Sequence, residues 1–366
     1  MDFGLSSDQQ QFSETLKQLL AEGADTAAVL RVSDASGFDP KLWGDLCSIG
    51  APALGLPEEE GGLGASCLDG VVLAEALGYA VAPVPSLAPW HLVPFLLAQS
   101  PADMRRKWLS SIADGTARIA LAIEEAGSSI ALHRDGAIVD GTVRNLAEGA
   151  HATHLLVLLD DVPILIDLRH GNCVVGKIPS LDRTVPLADV SLHQCPATVL
   201  SELRNTKDIR RDLTDRARVL LAAQSVGAAQ SMLDEAVSYV QVRRQFGQAL
   251  ANFQSVRHAC AEMATMIEPA RSLVWYAAHL IDIQDTGARV ASCHSKAYAD
   301  DVGRDVATLA TQLHGAMGFT HELGLHLRLK RIASNRQLYG TPEQCRFEAV
   351  ALQTTVPELE QRNANG

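Results

Sequence analysis

The stretch RVLLAAQSVGAAQSMLDEAVSYVQVRRQFGQALANFQSVRHACAEM, residues 218–263, decides the fold. Apolar residues recur at helical spacing through it and just before it: Leu213, Ala217, Leu220, Leu221 and Ala228, with Gln224 in register. That periodicity predicts one long helix over about 207–243 and a second over about 253–285. Between them stands Arg243-x-x-Phe246-Gly247. Read from its residues alone, this is a solvated helix terminus with Gly247 as its C-cap.

Downstream, the helical period continues over about 287–316, 323–338 and 343–355, which predicts a C-terminal helical bundle across 206–366. Only the tail ELEQRNANG reads as loose. Upstream, the period switches. RIALAIEE, GAIVDGTVRNL, THLLVLLDD, VPILIDLRHG, CVVGKIPSL and DVSLHQCPAT are short β-branched runs separated by Gly, Asp and Pro. They predict a middle β domain, a mostly antiparallel barrel or sandwich of six or more strands, over 116–205. Residues 1–115 read as an N-terminal helical domain. There, SSDQQQFSETLKQLLAEG has Ser7 or Asp8 as N-cap and Gly23 as its stop, and FDPKLWGDLCSIGA turns Leu42, Trp43 and Leu46 inward. LGLPEEEGGLGASC is a Gly-rich loop, LDGVVLAEALGYA a third helix, and WHLVPFLLAQ a short one after three prolines. The fold class is therefore mainly α with a central β domain (α+β).

The bulk numbers exclude several functions. A net charge of −12 over 366 residues argues against a nucleic-acid partner, which needs a basic face. No run approaches the roughly 18 apolar residues a membrane span requires, and MDFGLSSDQQQF has no secretory or transit character. Seven scattered cysteines without C-x-x-C fit a reducing cytoplasm, and no Cys/His set has zinc-ligand spacing.

The helix–turn–helix of 218–263, the turn QLHGAMGF, the opening MDFGLSSDQQQF and the loop LGLPEEEGGLG together resemble the acyl-CoA dehydrogenase family, in order and over nearly the whole chain. The resemblance implies α,β-oxidation of an acyl-CoA thioester by FAD. A carboxylate takes the α-proton, and donors hold the thioester oxygen as enolate character develops. It also implies that each FAD lies at a subunit interface. There the R-x-x-F-G and Q-x-x-G-G turns of one subunit serve the nucleotide of the next. The matching positions are Arg243, Gln245, Phe246, Phe253, Gln254, Gln312, Gly315 and Ala316, the last replacing a glycine. A guanidinium suits a phosphate, and glycine lets backbone approach the nucleotide.

The flavin-ring half departs from the family. Where W-x-T belongs, VDGTVRNLAEGAHATHLLVLL places Asn145 and Ala147, and LAIEEAGSSI puts Glu124 and Glu125 near the T-E-P position as a solvated strand end. The base is absent from both family positions. One is Ala217, just before Arg218. The other is Tyr339 or Gly340, depending on the alignment of RIASNRQLYGTPEQ. Asp215 and Glu343 are the displaced candidates. Asp215 faces away from Ala217 by helical geometry, and Glu343 suits the first turn of the last helix. His314, His321 and His326 read as packing or surface groups, and Glu322 as structural.

One arrangement implied by the resemblance accommodates both halves. The chain would be the base-lacking partner in an α2β2 heterotetramer of the bacterial steroid type. A longer acyl-CoA dehydrogenase paralogue would hold the acyl-CoA, and a flavoprotein would accept the electrons. The alternatives are a self-sufficient homotetramer with a displaced base, or a non-enzymatic acyl-CoA-binding scaffold.

Overall fold

The computed structural model describes residues 4–60, 62–100, 102–123, 128–133, 138–159, 162–200 and 206–354. Their contacts cluster into two compact units. One draws on Met1–Ser13, Ala74–Val81 and Asp215–Gly366, the other on Glu14–Leu73 and Ala82–Thr214. Glu124, Glu125 and the tail ELEQRNANG lie outside the described residues.

Helix α1 (Ser7–Gly23) starts one residue earlier than the sequence suggests. The cap is Ser6 rather than Ser7 or Asp8. Its hydroxyl accepts the Gln9 N–H at 3.2 Å, and the Gln9 side chain accepts the Ser6 N–H at 3.0 Å. This reciprocal capping box satisfies two donors and so outcompetes the later positions. A helix not anticipated from the sequence, α2 (Thr26–Asp34), is capped by Asp25. Helix α3 (Pro40–Ser48) begins at Asp39, with proline at its first position. It buries Leu42, Trp43 and Leu46 as predicted. Trp43 stacks on Trp90 at 4.7 Å and donates to the Gly115 carbonyl at 3.0 Å. Gly115 has φ +73, and a methyl there would land on Cys47 and Trp43. Helices α4 (Cys67–Ala80), α5 (Val93–Leu97) and α6 (Ala102–Ala113) complete this part of the chain.

The β region is one seven-stranded sheet. Its strands are β1 (Ile119–Ala122), β2 (Ser129–His133), β3 (Ile138–Leu146), β4 (His154–Leu159), β5 (Val162–Asp167), β6 (Cys173–Lys177) and β7 (Ala188–Val199). Among the described residues only β1 and β4 pair in parallel. Strand β7 makes the sheet curl. Its first half pairs with β6, its last residues pair with β5 on that same edge, and β3 runs along the other. Val139, Val143, Leu155, Ile164, Ile166 and Val190 fill the concave side. Glu148 fastens the β3–β4 connection. Its carboxylate accepts the N–H groups of Ser86, Leu87 and Ala88 at 2.7–2.9 Å.

In the other unit, α7 (Thr206–Val242) from Asp215 onward, α8 (Gln254–Asp282), α9 (Ala288–His314), α10 (Leu325–Asn335) and α11 (Pro342–Thr354) form the bundle. Gly78 of α4 and Gly227 of α7 mark a tight helix crossing, because a methyl on either would strike the backbone of Gln224 or Glu75. Lys296 and Asp300 are fully buried and paired. Lys296 also donates to the Asn335 carbonyl at 2.8 Å, and Ser225 donates to Asp300 at 3.2 Å. A buried pair needs such extra bonds to offset its desolvation. These bonds stitch α7, α9 and α10 together.

Candidate functional site

The residues matched to nucleotide binding lie at two chain reversals in the bundle unit. Helix α7 ends at Val242, and β8 (Arg244–Gln245) then pairs with β9 (Gln248–Ala249). Phe246 and Gly247 between them have φ 51° and 82°. Two successive positive φ values make this a type I′ hairpin turn. Gly247 is thus a hairpin glycine, not the helix C-cap that local reading suggests. Phe246 holds a backbone conformation that aromatic residues seldom adopt. It is 91% exposed and meets Phe253 edge-on at 6.2 Å. Arg243, Gln245 and Gln254 are exposed.

The second reversal follows α9. Gly315 has φ 58° and ψ −136°, a region essentially closed to other residues. Gln312, Gly315 and Ala316 are exposed. Ala316 sits in an ordinary 3-10 turn (Gly315–Phe319), so its methyl is accommodated without strain. One contact missed from the sequence joins the two reversals. Buried His314 stacks on Tyr239 at a centroid distance of 4.5 Å, and its Nδ1 lies 2.7 Å from the Ala310 carbonyl. Tyr239 stands one helical turn before Arg243, and that spacing was the available signal. His321 and His326 lie side by side at 5.2 Å, next to exposed Glu322.

The positions expected to carry the base are organised differently. Ala217 is completely buried. Arg218 beside it is consumed by the chain itself. It donates to the Tyr339 carbonyl at 2.9 Å, to Cys293 Sγ at 3.1 Å and to Glu348 at 2.7 Å. Arg289 holds the other oxygen of Glu348 at 2.6 Å. Tyr339 and Gly340 both have positive φ, 56° and 107°. A methyl on Gly340 would sit 3.3 Å from the Arg218 guanidinium.

The two displaced candidates are also engaged. Asp215 is buried, accepts the Ser292 hydroxyl at 2.6 Å and lies 3.7 Å from Arg218. Burial raises its pKa, opposed by Ser292 and Arg218. Glu343 is exposed in the first turn of α11. Its own backbone N–H and Thr341 hold its carboxyl below the usual range. Thr341 and Gln344 close a capping box there, at 2.8 and 3.3 Å.

In the β unit, the sheet register shifts between Val143 and Leu146. Asn145 takes φ 54°, and its N–H is held by Asp189 at 2.9 Å. This bulge presents neither a flat aromatic nor a hydroxyl at Asn145 or Ala147. A cleft of about 470 Å³ in the same unit is lined by Trp108, His154, Asp167, Arg169 and Thr198 among others. Bonding to Arg169 holds its carboxylate, Asp167, down to about 2, which weakens it as a base. Judged by donor chemistry, the two outward reversals fit the nucleotide half of an FAD. The bulged β3 does not fit the ring half.

Residues 6–116 match the acyl-CoA dehydrogenase N-terminal domain, and residues 209–350 match the acyl-CoA dehydrogenase C-terminal domain. Acyl-CoA dehydrogenase IpdE2 of Mycobacterium tuberculosis is 29% identical, over 92% of this chain and 94% of its own length. A structure of the Tcur3481-Tcur3483 steroid ACAD superposes with a TM-score of 0.85 at 25% identity, covering 95% of this chain and 98% of that one. The ChsE4-ChsE5 complex from Mycobacterium tuberculosis shares the fold, with a TM-score of 0.86 at 19% identity, covering 98% and 100%.

Proposed function

The chain belongs to the acyl-CoA dehydrogenase family, oxidoreductases acting on CH–CH bonds, and from that premise we propose that it is the base-lacking partner subunit of a heteromeric enzyme. In this reading a longer paralogue carries the base and the flavin-ring pocket, and this chain completes the paralogue's FAD site in an α2β2 heterotetramer. The observation that carries the reading is the contrast at the two family positions for the base. They hold a buried methyl at Ala217 and a backbone clamped by Arg218 at Tyr339. The carboxylates nearest in sequence are engaged elsewhere.

Each part of the chain then has a defined task. The exposed Arg243 guanidinium neutralises pyrophosphate charge, where an Arg–phosphate pair is worth more than a neutral hydrogen bond. Phe246 and Gln245 cover the nucleotide, and the open backbone at Gly315 lets it approach closely. FAD supplies the hydride acceptor. Proton removal belongs to the partner's carboxylate, because neither alanine, glycine nor tyrosine takes a proton from carbon near neutral pH. The likeness to the steroid ACAD supports a steroid-derived or other bulky acyl-CoA as substrate, with an electron-accepting flavoprotein downstream. No helix among the described residues is long and apolar enough to cross a membrane, and we place the complex in the cytoplasm.

The test is a flavin absorbance spectrum and size-exclusion profile of the chain, alone and co-expressed with an adjacent longer paralogue. The expected result is a colourless protein alone and a yellow mixed tetramer with one FAD per pair of chains. A full flavin complement in the isolated chain overturns the proposal in favour of a self-sufficient homotetramer. Thioester binding without flavin in every combination overturns it in favour of a scaffold.

A further inference from the structure

Strand β7 changes neighbours partway along its length. Residues 188–192 pair with β6, and 197–199 pair with β5. The backbone kinks between these halves, where Gln194 takes φ 51° and Pro196 follows. At this corner Cys195 is fully buried, and its Sγ lies 2.7 Å from the Sγ of half-buried Cys173 at the start of β6. A disulfide has an S–S length of about 2.05 Å, so bonding needs a closing move of only about 0.7 Å.

The surroundings hold both sulfurs in place. Cys195 Sγ also bonds the Asn172 carbonyl at 3.1 Å, and Cys173 Sγ faces the Asp167 carbonyl at 3.5 Å. Asn172 accepts the His193 N–H at 3.0 Å, and its side chain donates to the Gln194 carbonyl at 3.3 Å. The two chain segments are thus already laced together on either side of the thiols.

We propose that Cys173 and Cys195 form an oxidisable dithiol, a modification site whose co-substrate is a hydroperoxide. The half-buried Cys173 thiolate attacks the peroxide O–O bond, giving a sulfenic acid and releasing the alcohol or water. Cys195 then attacks that sulfur, the S–O bond breaks, and water leaves. Two thiols lose two electrons and two protons, and the hydroperoxide is reduced by two electrons. The disulfide closes the loop through β6 and locks the corner where β7 passes from one neighbour to the other.

Burial and the neighbouring Cys195 push the Cys173 thiol up to about 12. Little thiolate exists at neutral pH, so oxidation is slow there and quickens as pH rises.

The experiment treats the full chain with hydrogen peroxide at neutral and at mildly alkaline pH. Remaining thiols are alkylated under denaturing conditions, and peptides are mapped without reduction. The expected product is a linked pair of Cys173 and Cys195 peptides, formed faster at the higher pH. It comes with a rise in Tm of roughly 5 °C that dithiothreitol reverses. Cys173→Ser abolishes the link and the Tm rise, whereas Cys260→Ser changes neither. Cys173 is chosen because Cys195 is fully buried and its replacement disturbs the sheet core. Separate alkylation of both cysteines after oxidation, or an unchanged Tm rise in Cys173→Ser, overturns the proposal.

Discussion

The two nucleotide-side reversals and the two base positions belong to the same unit, yet they spend their polar groups in opposite ways. At Arg243–Phe246 and Gln312–Ala316, strained backbone and buried packing hold side chains outward. Phe246, in particular, accepts an unfavourable φ and remains almost wholly exposed. At Ala217 and Tyr339, the donors of Arg218 are taken up by Tyr339, Cys293 and Glu348. The first region leaves its side chains facing outward. The second is completed from within the chain. A motif alone does not reveal this difference, because both regions contain arginine, glycine and an aromatic ring.

The largest expected effect is at Arg243. In the co-expressed complex, Arg243→Ala removes a charge-assisted bond worth about 1.5–3 kcal/mol, so FAD affinity falls by roughly ten- to a hundredfold. Flavin retained through gel filtration measures it. Unchanged retention breaks the contrast, since Arg243 would then be a solvated helix end.

Next is Tyr239→Ala, which deletes the ring supporting His314. We expect a loss of about 2–4 kcal/mol in unfolding free energy, read by urea denaturation. Flavin retention falls with it. A stable protein with undiminished flavin would show that the two reversals are positioned independently.

Restoring a carboxylate sharpens the other side. Gly340→Glu puts a side chain at φ 107° against Arg218 and costs about 1–3 kcal/mol. Ala217→Glu forces a carboxylate into a fully buried position. Neither is expected to produce acyl-CoA turnover in the isolated chain. Activity gained by Ala217→Glu alone sinks the partner reading.

The smallest effect concerns acid. Glu348 has its pKa lowered by Arg218 and Arg289 despite burial. A depressed carboxylate contributes stability that is fully present above its unfolded value and is lost as pH falls through its folded one. Unfolding followed as a function of pH below about 4.5 therefore shows a weakening that Glu348→Gln diminishes. Equal acid slopes in the two proteins would mean the Arg218 clamp does not depend on this charge.

Local periodicity reached far into the fold. The five bundle helices and the strand-rich middle follow from spacing, because a buried face repeats at 3.6 or 2 residues. Helices α2 and α6, strand β2 and the β8–β9 hairpin escaped. Strand β2 is half exposed on alternate residues and mostly unburied, so it has no continuous apolar face to betray it. Helix α2 is only nine residues long and is set by the Asp25 cap. The Ser6–Gln9 capping box was legible as S-x-x-Q and overlooked, whereas the hairpin role of Gly247 needed the backbone angles.

For the candidate site, the sequence by itself determined which chemistry is present. It places arginine, glutamine and glycine at the nucleotide turns, alanine and tyrosine–glycine at the base positions, and asparagine and alanine at the ring positions. Residue identity limits proton transfer and hydrogen bonding before any folding occurs. Only the tertiary structure decided what those groups are doing. Asp215 is tied to Ser292 of α9, Arg218 reaches Tyr339 and Glu348, and Glu148 holds the Ser86–Ala88 backbone. Those partners lie dozens of residues apart or more, and helical or strand periodicity carries no information across that distance. They meet because burying apolar faces fixes how the elements pack, and the polar groups carried along must then find partners or bear the cost of desolvation.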